Sequence, residues 1–215
     1  NYDDWGLWLA MLKEGAKFVH LPVKTWKWNH HSSNTSGLPG RFCSKKPIVV
    51  YHVAAMGNWK EVVLQQFNLL KACSLEDVRF THVGGDLDWI LNKGIEYGLR
   101  LTLVRSDPNT DHYETFALTE IDRLAKEEKT KSPILYLHTK GVSNVCDHKN
   151  IWRHLMQEWV VKRWQENLKY LDSHDAVGVS WCSEGLQHFS GNFWIANPDW
   201  LRRLPDYVWY HSQRN

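Results

Sequence analysis

Ile134-Leu135-Tyr136-Leu137, followed at once by His138-Thr139-Lys140-Gly141, is the stretch on which the fold turns. Four large apolar residues in a row suit a strand buried on both faces, as in a parallel sheet covered by helices. In open α/β sheets ligands bind outside the carboxyl ends of the strands, so the polar tetrad stands where a ligand would be met. A His and a Lys there can face a phosphate or another acidic group. The structural alternative is a solvated turn in which Gly141 supplies a positive φ.

Working outward, the same alternation of apolar strand and amphipathic helix runs through residues 47–215. Strands are predicted at Ile48–Val53, Val78–Val83, Leu99–Val104, Ala176–Ser180 and Phe189–Ala196. Helices are predicted from Gly57-Asn58 to about Cys73, from Asp86 to Tyr97 with Asp86 as N-cap, from Tyr113 to Lys131 and from Trp152 to Leu171. Strands alternating with helices imply βαβ units, right-handed crossovers and a mostly parallel, Rossmann-like α/β sheet flanked by helices. Upstream lie an amphipathic run from Trp5 to Glu14 and a short strand, Phe18-Val19-His20-Leu21, closed by Pro22. The turn-rich stretch Ser32–Gly40 reads as a linker. It divides the chain into a segment at 1–40 and a domain at 47–215.

Composition narrows the function classes. A chain of 215 residues is long enough for a sizeable core, and its net charge of +2 is too small to argue for nucleic acid or an acidic membrane surface. The 13 tryptophans serve core packing first, with stacking on sugar rings as the alternative. The four cysteines (Cys43, Cys73, Cys146, Cys182) form no C-x-x-C pair, which argues against zinc, and read as reduced, mostly buried thiols of a cytosolic compartment. No run of 18 apolar residues offers a membrane span. The chain begins at Asn1 inside a motif and stops at Asn215 without a closing element, so it reads as a piece of a longer protein.

Two resemblances follow from motifs. Asp3-Asp4-Trp5-Gly6-Leu7-Trp8, the strand ending at Pro22 and the Trp26-Lys27-Trp28 to His30-His31 tail resemble the end of a family 2 glycosyltransferase catalytic domain. The resemblance makes Asp4 the general base of that fragment, with Asp for Glu at position 3 and Gly for Asp at position 6 as departures. Residues 47–215 resemble polysaccharide transferases related to rhamnan synthesis protein F. The carriers are His138-Thr139-Lys140, Trp152-Arg153, Asp175-Ala176-Val177-Gly178-Val179 and His188-Phe189-Ser190-Gly191-Asn192-Phe193-Trp194. This resemblance implies a GT-A-like fold and a cytoplasmic glycosyltransferase, peripheral at the inner face of the membrane. It would move a hexosyl or deoxyhexosyl group from a nucleotide sugar to a growing cell-surface or cell-wall glycan, free or lipid-linked. The alternative is a non-catalytic glycan-binding module. A phosphate-handling hydrolase is the weakest reading, because no P-loop and no G-x-S-x-G elbow is present.

Glycosyl transfer expels a nucleoside diphosphate, which needs a cation. Where GT-A enzymes place a metal-binding Asp-x-Asp, this chain carries His138-x-Lys140, and a Lys ammonium can stand in as a point charge. One such pair at 4 Å is worth roughly 4 kcal/mol at an effective dielectric near 20. Lys140 and Arg153, helped by His138, are therefore expected to hold the donor diphosphate, with Trp152-Arg153 opening a helix whose N-terminus favours phosphate. Asp86 and Asp88 form the one true Asp-x-Asp. They are candidates for Mn²⁺, Mg²⁺ or the nucleoside ribose, against the plainer reading of an N-cap and an exposed acid. Ser190, Asn192 and Trp194 are expected at the sugar or acceptor. His188, Asp175 and Glu184 are the candidates for the catalytic base, among which the sequence does not choose; His188 is also expected at the sugar beside Asn192, and Asp175 reads more plainly as a structural cap. His52 and His82 read as satisfied core or rim histidines, and Lys126–Lys131 as a solvated helix end.

Overall fold

The computed structural model describes residue 15 and residues 17–20, 45–144, 146–182 and 188–205. Asp4, the Trp5–Glu14 run and Glu184 lie outside the described residues. The chain is α/β. The strands β1 (Phe18–His20), β2 (Ile48–Ala55), β3 (Asp77–Gly84), β4 (Arg100–Asp107), β5 (Ile134–His138), β6 (Ala176–Gly178) and β9 (Trp194–Ala196) form a sheet in the order β1-β6-β9-β5-β2-β3-β4. All pair in parallel except β9, which runs antiparallel between β5 and β6. The short strands β7 (Trp181–Cys182) and β8 (His188–Phe189) pair separately. β1, from the upstream segment, is hydrogen-bonded to β6 in the main sheet.

Period-2 alternation sorts the strands into two cores. Val49, Tyr51 and Val53 of β2 and Leu135 and Leu137 of β5 join one core. Helices α1 (Trp59–Ala72) and α2 (Leu87–Glu96) cover that face. So do α4 (Asp147–Met156), a π-turn at Gln157–Lys162 and α5 (Trp164–Tyr170). Val50, Ile134 and Tyr136 join the other core, under α3 (Thr115–Lys126) and α6 (Pro198–Leu201). The i, i+3, i+4 spacing of Trp59, Val62, Val63, Gln66, Phe67 and Leu70 explains which stripe of α1 is buried.

The departures from the expected elements have local causes. The helix expected from Trp152 begins at Asp147, so Arg153 sits well inside α4 and not at an N-terminus. The helix is also interrupted: Asn167 Nδ2 donates to the carbonyls of Trp159 (2.8 Å) and Val160 (3.2 Å), capturing backbone acceptors that the π-turn frees. The single strand expected over Phe189–Ala196 is two, because Gly191 (φ 93°) and Asn192 (φ 60°) reverse the chain between them. The described cysteines, Cys73, Cys146 and Cys182, are free thiols but half-buried, where burial was expected. No helix among the described residues is long and apolar enough to cross a membrane.

Gly178 on β6 lies face-on to Phe189: a Cβ there would meet ring carbons at 2.7, 2.8 and 2.9 Å. Gly178→Ala is expected to cost about 1–3 kcal/mol in urea unfolding, with part of the loss recovered when Phe189→Leu is added. An unchanged midpoint for Gly178→Ala would show that this packing is not rigid.

Candidate functional site

The strand order supplies the site. The chain moves outward from β2 through β3 to β4, and α3 then crosses back over the opposite face, in contact with β4, β3 and β2, to start β5 on the other side of β2. β2 and β5 therefore flank the point where the order reverses, the position at which open α/β sheets form a crevice. A cavity of about 320 Å³ opens there. β2 contributes His52 and Ala54, the turn after it Met56, and the segment before α3 contributes Thr110, Asp111, Tyr113 and Glu114. The remaining wall is His138, Thr139, Lys140, Gly141, Val142 and Ser143.

Register and alternation explain why two histidines meet here. His52 and His138 are directly paired residues of β2 and β5. His138 stacks on Tyr136, two residues before it on the same face, with ring centroids 5.9 Å apart and planes 2° from parallel. That face is the one α3 covers, so the start of α3 hangs over both rings.

The tetrad is fastened to the strand beside it. Thr139 N–H donates to the His52 carbonyl (3.1 Å). The Thr139 hydroxyl accepts from Ala54 N–H (2.9 Å) and donates to the Ala54 carbonyl (3.3 Å). From the other face, Gln66 of α1 donates to the His138 carbonyl (2.9 Å) and accepts from the Tyr51 hydroxyl (2.7 Å). Gly141 has φ 85°, as the sequence suggests. A Cβ there would lie 3.1 Å from Lys149 Cβ and 3.6 Å from Arg153 Nη1, so the loop sits tightly on α4.

Glu114 is the acid that sequence reasoning missed. Its carboxylate accepts from the Tyr136 hydroxyl (2.5 Å) and from Asn192 Nδ2 (2.7 Å), and lies 3.3 Å from His138 Nδ1. Asn192 Oδ1 in turn accepts from Trp194 Nε1 (2.9 Å). His138 Nε2 lies 3.0 Å from the Gly191 carbonyl, which can only accept, so this nitrogen carries a proton. Its other nitrogen, Nδ1, faces the carboxylate. Tyr113, just before Glu114, is held at φ 44° and is 48 % exposed on the cavity wall. A non-glycine residue in that region stores about 1–3 kcal/mol, and such strain clusters at functional sites.

The other expected site residues are placed as follows. Lys140 lines the cavity, with its ammonium 5.7 Å from the Trp152 ring centroid, and has no carboxylate partner among the described residues. Arg153 does not line the cavity. Its guanidinium is buried beneath the loop, where Nη1 donates to the Lys140 carbonyl (2.8 Å) and Nε has no hydrogen-bond partner among the described residues. Burial lowers the guanidinium from its ordinary value, against the attraction of Glu61 and Tyr51. Arg153, expected at the donor diphosphate, thus holds the loop that carries Lys140 and does not itself reach the cavity wall.

His138 is likewise committed to Glu114 and Gly191. Asn192 and Trp194, expected at the sugar, are buried at 1 % and 0 % exposure and do not line the cavity: Asn192 bonds to Glu114, and Trp194 bonds to Asn192. Ser190 donates its N–H to the Ser180 carbonyl (2.9 Å), and neither it nor His188, paired with Cys182 in the small sheet, lines the cavity. Asp175 lies at the opposite edge of the sheet, where its carboxylate accepts from Lys17 N–H (3.0 Å) and faces Arg203.

Asp86 occupies the N-cap position of α2 without capping it. It pairs instead with Lys60 (2.5 Å), whose ammonium also sits over the Trp59 and Trp89 rings. That ion pair draws the Asp86 carboxyl below its usual range. Neither Asp86 nor Asp88 lines the cavity, and among the described residues no group of three His, Cys, Asp or Glu could hold a metal ion. Asp86 is thus engaged with Lys60, away from the cavity.

His82 is a satisfied buried histidine, bonded to the Ser106 hydroxyl (2.9 Å) and the Gly85 carbonyl (3.1 Å). His52 is buried as well, bonded to the Thr81 hydroxyl (2.9 Å), but also forms part of the cavity wall. Burial first, then the charges of His138 and His82, depress His52 to about 3. The native ring therefore refuses a proton that the unfolded chain accepts below about pH 6.5. Its contribution to stability is whole above that pH and is lost as pH falls toward 3, and His82, also depressed by burial, adds in the same direction. Stability to urea is expected to fall between pH 6.5 and 5 by up to about 1.4 kcal/mol per unit through His52, with His82 acting in the same direction. His52→Asn should flatten this slope, and an equal slope in the variant would reject the assignment.

No curated protein and no solved structure matches the chain. One family model does, over residues 48–215, which contain β2 through β9 and every residue of the cavity wall. The chain belongs to the family described as domain of unknown function DUF8361.

Proposed function

We propose that the domain at 47–215 is a nucleotide-sugar-dependent glycosyltransferase with a GT-A-like fold, related to the rhamnan synthesis protein F group. In this reading it extends a cell-surface polysaccharide or lipid-linked glycan from the cytoplasmic side of the membrane. The observation that carries it is Lys140: an ammonium without a carboxylate partner among the described residues, on the wall of a cavity at the sheet's switch point. A cation left unpaired beside a crevice favours an anionic ligand, and the position is the one at which α/β sheets bind nucleotides.

Two further features support the reading. The cavity, at about 320 Å³, is in the size range of small-molecule sites. Its wall also combines hydroxyls, acids and a lysine, the mixed donors and acceptors that sugar hydroxyls need. Lys140 would meet the departing diphosphate, and Arg153 would hold the Lys140 peptide in place from below.

The test is a thermal-shift panel of UDP, GDP and dTDP and their sugars, with and without Mn²⁺ or Mg²⁺. At least one nucleotide should raise the melting temperature. Lys140→Met should weaken its binding at least tenfold, about 1.4 kcal/mol, while leaving the melting temperature of the free protein within a degree or so. Stabilisation by oligosaccharides with no response to any nucleotide would overturn the proposal in favour of a glycan-binding module.

A further inference from the structure

We infer that Glu114 takes the proton from the acceptor hydroxyl in this cavity, with His138 as its positioning partner, an assignment that rests on the transferase reading. A general base must lie within hydrogen-bond reach of the reacting hydroxyl and be held there before the reaction. Two acids line the cavity, Asp111 and Glu114. Asp111 is exposed, and its hydrogen bond is made by its backbone, which donates to Asn109 Oδ1 (2.9 Å). Glu114 has a side-chain exposure of 13 %, low enough to be fixed and high enough to be reached. Its carboxylate is aimed from three sides by Tyr136, Asn192 and His138.

Each of those partners is itself held. Asn192 is braced by Trp194, and its positive φ follows from the turn that Gly191 begins. His138 is locked as a donor to the Gly191 carbonyl, which leaves Nδ1 toward Glu114. Such a braced carboxylate is costly to build for packing alone, because a buried polar network half satisfied is worse than an apolar core. The strained Tyr113 beside it directs the chain so that Glu114 meets the cavity.

In the transfer, the acceptor oxygen forms a bond to the anomeric carbon as the bond from that carbon to the diphosphate oxygen breaks. The electron pair of the broken bond leaves with the diphosphate toward Lys140. The hydroxyl proton passes to Glu114 and returns to solvent as the products depart. A single displacement of this kind inverts the anomeric configuration.

The titratable groups around Glu114 are His138 and Tyr136 on β5, with His52, Asp111, Tyr113 and Lys140 sharing the cavity. The experiment follows nucleoside diphosphate release from the stabilising sugar nucleotide in the full chain, with water or oligosaccharide as acceptor. Binding is followed separately, by the melting-temperature shift with the nucleoside diphosphate alone. Glu114→Gln should keep the shift, lower release by about 10²–10⁴-fold and remove the acidic limb of the pH–rate profile. Tyr136→Phe, a milder variant that deletes one donor to the carboxylate, should move that limb to higher pH. Normal release by Glu114→Gln with binding intact would overturn the inference alone. So would loss of the limb in Asp111→Asn instead, a product of retained configuration, or a limb unmoved in Tyr136→Phe. A wild-type protein that binds no nucleoside diphosphate, or binds and never turns over, would overturn the transferase reading itself.

Discussion

The pairing of His52 with His138 across β2 and β5 is the contact around which the domain is arranged. Two parallel strands that are neighbours in space but far apart in sequence must be joined by a chain that crosses the sheet. Here α3 makes that crossing over the face opposite α1 and α2. The backbone of β5 ends at His138, and beyond it Thr139 continues the attachment with its side chain. The Thr139 hydroxyl thereby satisfies the Ala54 N–H and shares the Ala54 carbonyl with Met56 N–H (2.9 Å), at a site half closed to water. The cavity is the gap left where the ladder stops and the connections diverge.

From that contact the rest of the polar interior follows. His138 shares a face with Tyr136 because strand side chains alternate, and that face is roofed by the start of α3. Glu114 sits where the roof begins, and the reversed turn at Gly191-Asn192 brings a carbonyl to one end of the His138 ring and an amide to the carboxylate. The antiparallel β9 is part of the same arrangement: it carries Trp194, whose indole fixes the orientation of Asn192. Hydrogen bonds of this kind are worth about 1 kcal/mol each net, but leaving one partner unmet costs about 1–3 kcal/mol. The network is thus a strong constraint on which side chains are tolerated.

Charge is distributed unevenly around the crevice. The acids lie on the α3 side, and Lys140 lies on the β5 side, supported by a buried arginine that donates to its carbonyl. Between them stand two imidazoles of different character. His52 is kept neutral chiefly by burial, whereas the ring of His138 is in contact with a carboxylate. A ligand that is negative at one end and rich in hydroxyls at the other complements this division.

The run at 134–141 was enough to place a buried parallel strand with a polar rim at its carboxyl end, and the neighbouring patterns were enough for the alternation of strands and helices. Those features are local: four apolar residues in series, a stripe at helical spacing and a glycine at a positive φ are each decided by residues close in the chain. Lys140 was legible for the same reason, since a strand end predicts its own rim. Glu114, Asn192 and Trp194 were not, because in sequence Glu114 is one more acid at a helix start and Asn192 one more polar residue in a turn. Only the crossover of α3 and the antiparallel return of β9 bring residues 114, 138 and 192 together. Arg153 shows the same division: its sign was readable, but its burial depended on α4 starting at Asp147 and packing beneath Gly141. The amino-acid sequence by itself determined the alternation of strands and helices and what chemistry stands at one strand's end. Tertiary structure alone decided which side chains share the crevice, because contacts between distant segments depend on strand order and register, which no local pattern encodes.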